Sequence, residues 1–221
     1  MTMQLQRRQC LAVLLLGSAG WARAGSYDDF FAAITKDDAA TVVNLLRRGF
    51  DPNTRDPNGQ HGLYLAIRAR ATRVTQALID WPKTEVESLN KADESPLMVA
   101  ALDGQLELCR KLIARGAAVN KTGWAPLHYA ATNGHVEVMR LLLEEHAFID
   151  AESPNRTTPL MMAARYGSVE AARLLLQEGA EPLLKNEQGM TAIDFANSVN
   201  RNDMAKLIGD AVRQRQPKGK W

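Results

Sequence analysis

Histidine and cysteine are the residues of this chain that could ligate a metal or attack an electrophile, and either chemistry needs them gathered at short spacing. The histidines are His61, His128, His135 and His146, and the closest two are separated by seven residues and a glycine turn. No His-Glu-x-x-His helix, paired cysteines, Gly-x-Ser-x-Gly elbow or phosphate-cradling glycine loop appears in the sequence. Of the two cysteines, Cys10 belongs to an N-terminal apolar run, and Cys109 lies in LELCRKLI at the position that Met139 and Ala172 take in two later segments of similar pattern. That equivalence reads as a packing position rather than a reactive thiol. With one cysteine outside the N-terminal run, no intramolecular disulfide is expected there. The sequence thus offers no catalytic residue, metal site or cofactor site, and a metal-dependent enzyme stands as a minor alternative that requires the fold to gather the histidines.

The elements that would have to do any such gathering are repetitive. A leucine-like residue followed three positions later by alanine recurs at Phe30/Ala33, Leu63/Ala66, Leu97/Ala100, Leu127/Ala130, Leu160/Ala163 and Ile193/Ala196, at intervals of 33, 34, 30, 33 and 33 residues. A period near 33 predicts stacked helical repeats. Within each copy, Thr158-Pro159 and Ser95-Pro96 read as an N-cap followed by proline at the first helical position. The first helix is short, and Gly104, Gly134 and Gly167, each seven residues after the marker, are expected in the left-handed conformation that ends it, with Asn200 in the same slot of the last copy. A second helix follows, with Val136, Met139, Leu142 and Leu143 in one copy and Val169, Ala172, Leu175 and Leu176 in the next at helical spacing. It ends at Gly49, Gly116, Gly179 or His146, and polar, turn-rich links such as GFDPNTRDPNGQ lead to the next copy. Met98, Met161 and Met162 read as core rather than a recognition stripe. A lone helix pair buries too little to offset its ordering entropy, so the copies are expected to fold only by covering one another.

The first 24 residues have another signature. Arg7 and Arg8 precede an apolar run from Cys10 to Leu16, and small residues end in Ala22-Arg23-Ala24. We read this as a signal peptide cleaved near Ala24, exported by the general or, from Arg7-Arg8-Gln9-Cys10-Leu11, the twin-arginine route. The protein is therefore expected in the periplasm or secreted. Removing the leader takes three of the 27 basic residues and none of the 25 acidic ones, which leaves a net charge of −1. That balance argues against nucleic acid as a partner, since phosphate binding needs a basic face. No segment after the leader approaches the roughly 18 consecutive apolar residues of a membrane span. Residues 213–221, RQRQPKGKW, read as a basic, disordered tail.

APLHYAATNGHVEVMRLLL, TTPLMMAARYGSVEAARLLLQEGAEP and SPLMVAALDGQLELCRKLIARGAAVN resemble ankyrin repeats, and the resemblance runs from about Asp28 to Ile208. It implies an all-α solenoid of about six stacked helix-turn-helix units with hairpin loops, in a domain spanning 25–212 with approximate units 28–56, 57–90, 91–120, 121–153, 154–186 and 187–212. Two departures stand out: the finger after Asn120 is three residues short, and Trp81-Pro82 replaces a terminating glycine. The resemblance also gives His128 and His135 structural slots, with the His128 ring expected on neighbouring backbone. It implies a noncatalytic scaffold, monomeric, that binds another protein on hairpin tips and the exposed side of the first helices. An accessory or inhibitory factor for an exported enzyme is the alternative. Carried over position by position, the partner-binding residues are Glu94, Trp124 and Asn155 at the fingers, and Arg68, Asp103, Asn133, Arg165 and Tyr166 at the helix turns. Thr157 and Ser198 also fall on carried-over surface positions. Trp124, Tyr166, Arg68 and Arg165 are of the types that dominate interface energetics, although Trp124 could instead pack against the next finger.

Overall fold

A computed structural model of the chain describes residues 25–215. The expected cleavage site and residues 216–221 of the expected tail lie outside the described residues. The described residues contain helices and no strand, apart from an isolated antiparallel bridge between Arg55 and His61. The chain divides into two compact units, up to Glu85 and from Val86 onward. Unit 1 carries α1 (25–35), α2 (Ala39–Arg47), α3 (Gly62–Arg68) and α4 (Thr72–Asp80). Unit 2 carries α5 (Pro96–Leu102), α6 (Leu106–Ala114), α7 (Pro126–Asn133), α8 (Val136–Glu144), α9 (Pro159–Arg165), α10 (Val169–Gln177), α11 (Ala192–Asn197) and α12 (Asn202–Arg215).

The first helices begin as the sequence predicts. Met98 N–H donates to Ser95 Oγ and Met161 N–H to Thr158 Oγ1, with Pro96 and Pro159 at positions where no N–H is needed. In unit 2 the first helices α5, α7, α9 and α11 pack on one another in chain order, and the second helices α6, α8, α10 and α12 do the same behind them. Leu97, Met98, Leu127, Leu160 and Met161 are fully buried between the layers, as are the alanines Ala100, Ala130, Ala163 and Ala196 that let the first helices approach. Burying each large aliphatic side chain contributes on the order of 1.5–3 kcal/mol. Met162 departs from its expectation and is only half-buried. The inner face of α8 is Val138, Met139, Leu141 and Leu142, while Val136 and Leu143 are half-buried. Unit 1 has its own core of Phe30, Leu63, Ile67 and Leu78.

The turn between helices is built in two ways. Gly134 takes φ +69, as expected for a left-handed end, and its bare Cα also leaves room for Ser168, whose backbone N would stand 2.7 Å from a Cβ there. Gly167 corrects the expectation. Its φ is not in the left-handed region; the glycine is required because a Cβ would collide with the Ala131 carbonyl and stand 2.9 Å from Ala163 Cα. Asp37, Arg70 and Asn200 fill the same slot at φ 53, 55 and 59.

Within each unit, polar bonds join successive loops. Asn53 donates from Nδ2 to the Lys83 carbonyl and accepts from Glu85 N–H. In unit 2, Glu87 accepts from Ala118 N–H, Asn120 from Phe148 N–H and Asp150 from Glu181 N–H. At the far end α12 runs through Arg215, three residues into the segment expected to be a disordered tail, because Arg215 donates to the Ala180 and Leu176 carbonyls at 2.7 and 2.6 Å and so caps α10.

Candidate protein-binding surface

The histidines are spent on the framework. His61 is buried; its Nδ1 accepts from Leu63 N–H at 3.2 Å as the N-cap of α3, so Nε2 carries the proton and donates to Asn53 Oδ1 at 3.1 Å. Burial, helped by the Arg55 charge, pushes its pKa down to about 4. His128 is likewise buried, accepting from Ala125 N–H at Nδ1 and donating from Nε2 to the Thr157 carbonyl at 2.9 Å, and desolvation lowers its pKa too. His135 faces the Leu102 carbonyl at 2.9 Å, and His146 sits at φ 66 where α8 ends. Each ring or backbone is held by its own copy or the one before or after it. Among the described residues no three His, Cys, Asp or Glu side chains are arranged to hold a metal. Cys109 is buried in the core of α6, and burial pushes its thiol up to about 12, so it is no nucleophile at neutral pH.

The surface residues form two rows in unit 2. At the finger row, Glu94 accepts from Asn90 Nδ2 and from Tyr129 Oη at 3.2 Å. Trp124 is half-buried, its ring edge-on to His128 at 5.2 Å between centroids. Asn155 is exposed, accepts from Ser153 Oγ at 2.6 Å, and offers its carbonyl to Glu187 N–H of the next finger. The shortened finger after Asn120 is tied to the preceding one by an ion pair between Lys121 and Asp93. Thr157 does not join this row: it is buried, with its N–H donated to Ser153 Oγ.

At the turn row, Asp103 is half-buried beside Gln105, and Asn133 is exposed and donates to the Leu102 carbonyl at 2.8 Å. Arg165 and Tyr166 end α9. The Arg165 guanidinium lies 5.2 Å from the centre of the Tyr166 ring and donates from Nη1 to Ser198 Oγ at 2.8 Å, while its Nε is buried and makes no hydrogen bond. Tyr166 itself is 55% exposed. Seven of the eight carried-over residues thus belong to unit 2, in rows separated by a first helix of seven residues, roughly 10 Å at 1.5 Å per residue. Arg68 belongs to unit 1, exposed at the end of α3.

Sequence reasoning passed over three features. Tyr129 carries no motif that singles it out, yet its hydroxyl donates to Glu94. Phe148 and Leu183, in the loops after α8 and α10, are 66% and 51% exposed, and no periodic pattern distinguishes them from buried neighbours. The third is an apolar groove in unit 1, lined from α1 by Tyr27, Phe31 and Ile34. No helix among the described residues is long and apolar enough to cross a membrane.

Comparison with known proteins bears on this arrangement. A segment of 65 residues is 35% identical to a homolog of transient receptor potential cation channel subfamily A member 1 from Caenorhabditis elegans; it covers 29% of this chain and 5% of that protein's length. The crystal structure of an ankyrin repeat domain from Acinetobacter baumannii AYE superposes with a TM-score of 0.71 at 26% identity, over 83% of this chain and 97% of that one. The family model for ankyrin repeats (3 copies) matches residues 30–121, 74–153 and 146–214. With all-helical pairs in sequence-ordered stacks and family matches over nearly all described residues, the chain belongs to the ankyrin-repeat family, whose members are generally protein–protein interaction modules.

Proposed function

We propose that this protein is a noncatalytic scaffold that works outside the cytoplasm after loss of its N-terminal 24 residues, as a monomer, and holds a protein partner on the finger and turn rows of its first helices. The observation that carries this reading is the Arg165–Tyr166 pair. A tyrosine left 55% exposed beside a guanidinium already fixed by Ser198 offers a rigid, amphipathic anchor whose ordering cost is met before binding. Trp124 supplies a second aromatic at the other row, held by His128. The leader sequence supports export, and the near-neutral charge that follows it supports a protein rather than a polyanion as partner.

The test is affinity isolation from an envelope or secreted fraction with the chain lacking residues 1–24, followed by titration of the isolated partner. Trp124→Ala combined with Tyr166→Ala is expected to weaken binding by about 2 kcal/mol, roughly 30-fold, with an unchanged circular dichroism spectrum. Unaltered affinity in that variant would move the binding face elsewhere. A chain retained in the cytoplasm with its leader intact would remove the export half of the reading.

A further inference from the structure

We propose that the α1/α3 face of unit 1 binds an extended protein segment in which a large apolar side chain stands next to carboxylates. This rests on the reading that first-helix faces take a protein partner, and it names that partner's chemistry at one place. The face carries a groove of about 350 Å³. Tyr27, Phe31 and Ile34 form a single helical stripe on α1, and Leu65 and Ala69 face them from α3, while Asp56 and Pro57 of the finger close one end. The aromatic wall is fixed: Tyr27 packs on Phe31 at 4.8 Å between ring centroids, Phe31 stands edge-on to Phe30, and Phe30 is fully buried. A groove of this volume, near the lower limit of ligand clefts, suits one large side chain better than an extended cofactor.

Charge decides the rest of the occupant. Arg68 and Arg70 flank the groove-lining Ala69 in the chain: Arg68, three residues beyond Leu65, ends α3, and Arg70 follows in the turn, held at φ 55 by backbone bonds from Arg70 N–H to the Ile67 carbonyl and Ala71 N–H to the Ala66 carbonyl. Arg68, Arg70 and Lys36 are exposed, and none pairs with a carboxylate among the described residues. The acidic groups of the same turn are already engaged. Asp37 accepts from Val74 N–H and pairs with Arg73, and Asp38 accepts from Thr41 as the N-cap of α2. At the finger end acidic groups outnumber basic ones: Asp28 and Asp29 are exposed and Asp56 accepts from Gln60 N–H, against the exposed Arg55, which donates to the Gly59 carbonyl. The groove therefore runs from an acidic end to a cationic one, and guanidinium pairs favour planar carboxylates. Leu65 and Arg68 are about 4.5 Å apart along the helix, which puts a matching carboxylate one or two extended residues from the apolar anchor. The chain's own termini do not fit this description. Residues 1–24 have three arginines and no acidic residue, and RQRQPKGKW has no acidic residue either.

Selection of random short peptides on phage against the full chain, followed by fluorescence-anisotropy titration of the enriched peptides, tests this. The enriched peptides are expected to carry an aromatic or branched aliphatic residue within two positions of Asp or Glu. Replacing those acids by Asn or Gln, replacing Arg68 and Arg70 together by Glu, or filling the groove with Ala69→Trp should each raise Kd about tenfold or more, and binding should weaken as salt rises from about 0.05 to about 0.5 M. The exposed positions of these substitutions keep the fold out of the result. Peptides without acids, indifference to the Arg68/Arg70 variant, or no enrichment would overturn the inference. So would binding of phosphatidylglycerol vesicles that the same variant abolishes while no peptide binds. Peptides that respond only to Trp124→Ala and Tyr166→Ala would leave the scaffold reading standing and remove this one.

Discussion

His128, Met98 and Met161 stand at the same place in three first helices, and each returns an acceptor to the N–H that precedes its helix: a ring nitrogen at 3.1 Å to Ala125, and thioether sulfurs at 3.3 and 3.4 Å to Ser95 and Thr158. The histidine adds a donated bond to the Thr157 carbonyl, which Ser153 N–H also reaches at 3.0 Å. A methionine in place of His128 would keep the first bond and lose only the second, whose acceptor stays satisfied. His128→Met is therefore expected to cost about 1 kcal/mol, and His128→Ala about 2–3 kcal/mol, because alanine leaves both a cavity and an unbonded buried N–H. Equal denaturation midpoints for the two variants would show that the ring matters by its volume alone. The slot was legible as the consensus histidine; that methionine can act in its place was not, since sulfur is too weak an acceptor for sequence reasoning to assign it a bond.

At the scale of the element, the glycine slot between paired helices looked uniform in sequence and proved to have two physical causes. Gly134 is needed for its φ and for its neighbour, whereas Gly167 is needed only because the Ala131 carbonyl and Ala163 pass too close for a side chain. The two causes separate under substitution. A left-handed position tolerates asparagine, as Asn200 does at φ 59. Gly167→Asn should therefore give no relief relative to Gly167→Ala, both costing about 1–3 kcal/mol through forced displacement of packed backbone. Thermal or urea unfolding checks this, and an asparagine variant close to wild type would restore the left-handed assignment. Sequence showed the glycine slot and assigned it a left-handed turn. The reason for glycine lay in a neighbouring helix 36 positions away, in Ala131, which no local pattern reports.

For the whole molecule, burial of histidine makes stability depend on pH. His61 has its pKa pushed from a usual value near 6.5 to about 4, so between those values the unfolded chain binds a proton that the folded chain refuses. Stability then rises with pH: the contribution is complete above about pH 6.5 and is lost as pH falls toward 4, amounting to about 3 kcal/mol. His128 acts with the same sign. Glu87 and Asp150, raised by desolvation, act with the opposite sign, their contributions shrinking as pH climbs above the usual carboxylate range. Denaturant titrations near pH 7 and pH 4.5 should show the loss, and His61→Asn, which can still cap α3, should flatten it. An identical pH dependence in that variant would mean the ring is not the titrating group.

The repeat period, the helix caps and the all-α fold were fixed in advance by local chemistry: a proline after a threonine, a glycine after two turns, and an apolar stripe that can be buried only against another copy. The candidate surface residues came from the resemblance to ankyrin repeats, carried over copy by copy. Tertiary structure alone decided what those residues do there. It left Tyr166 open beside a fixed arginine, buried Thr157, and carried α12 through Arg215 to bond the carbonyls of Leu176, in the last turn of α10, and Ala180 just beyond it. These outcomes depend on which neighbour stands across a gap of about 30 residues of chain, and a periodic sequence specifies that such a neighbour exists without specifying the atoms it presents.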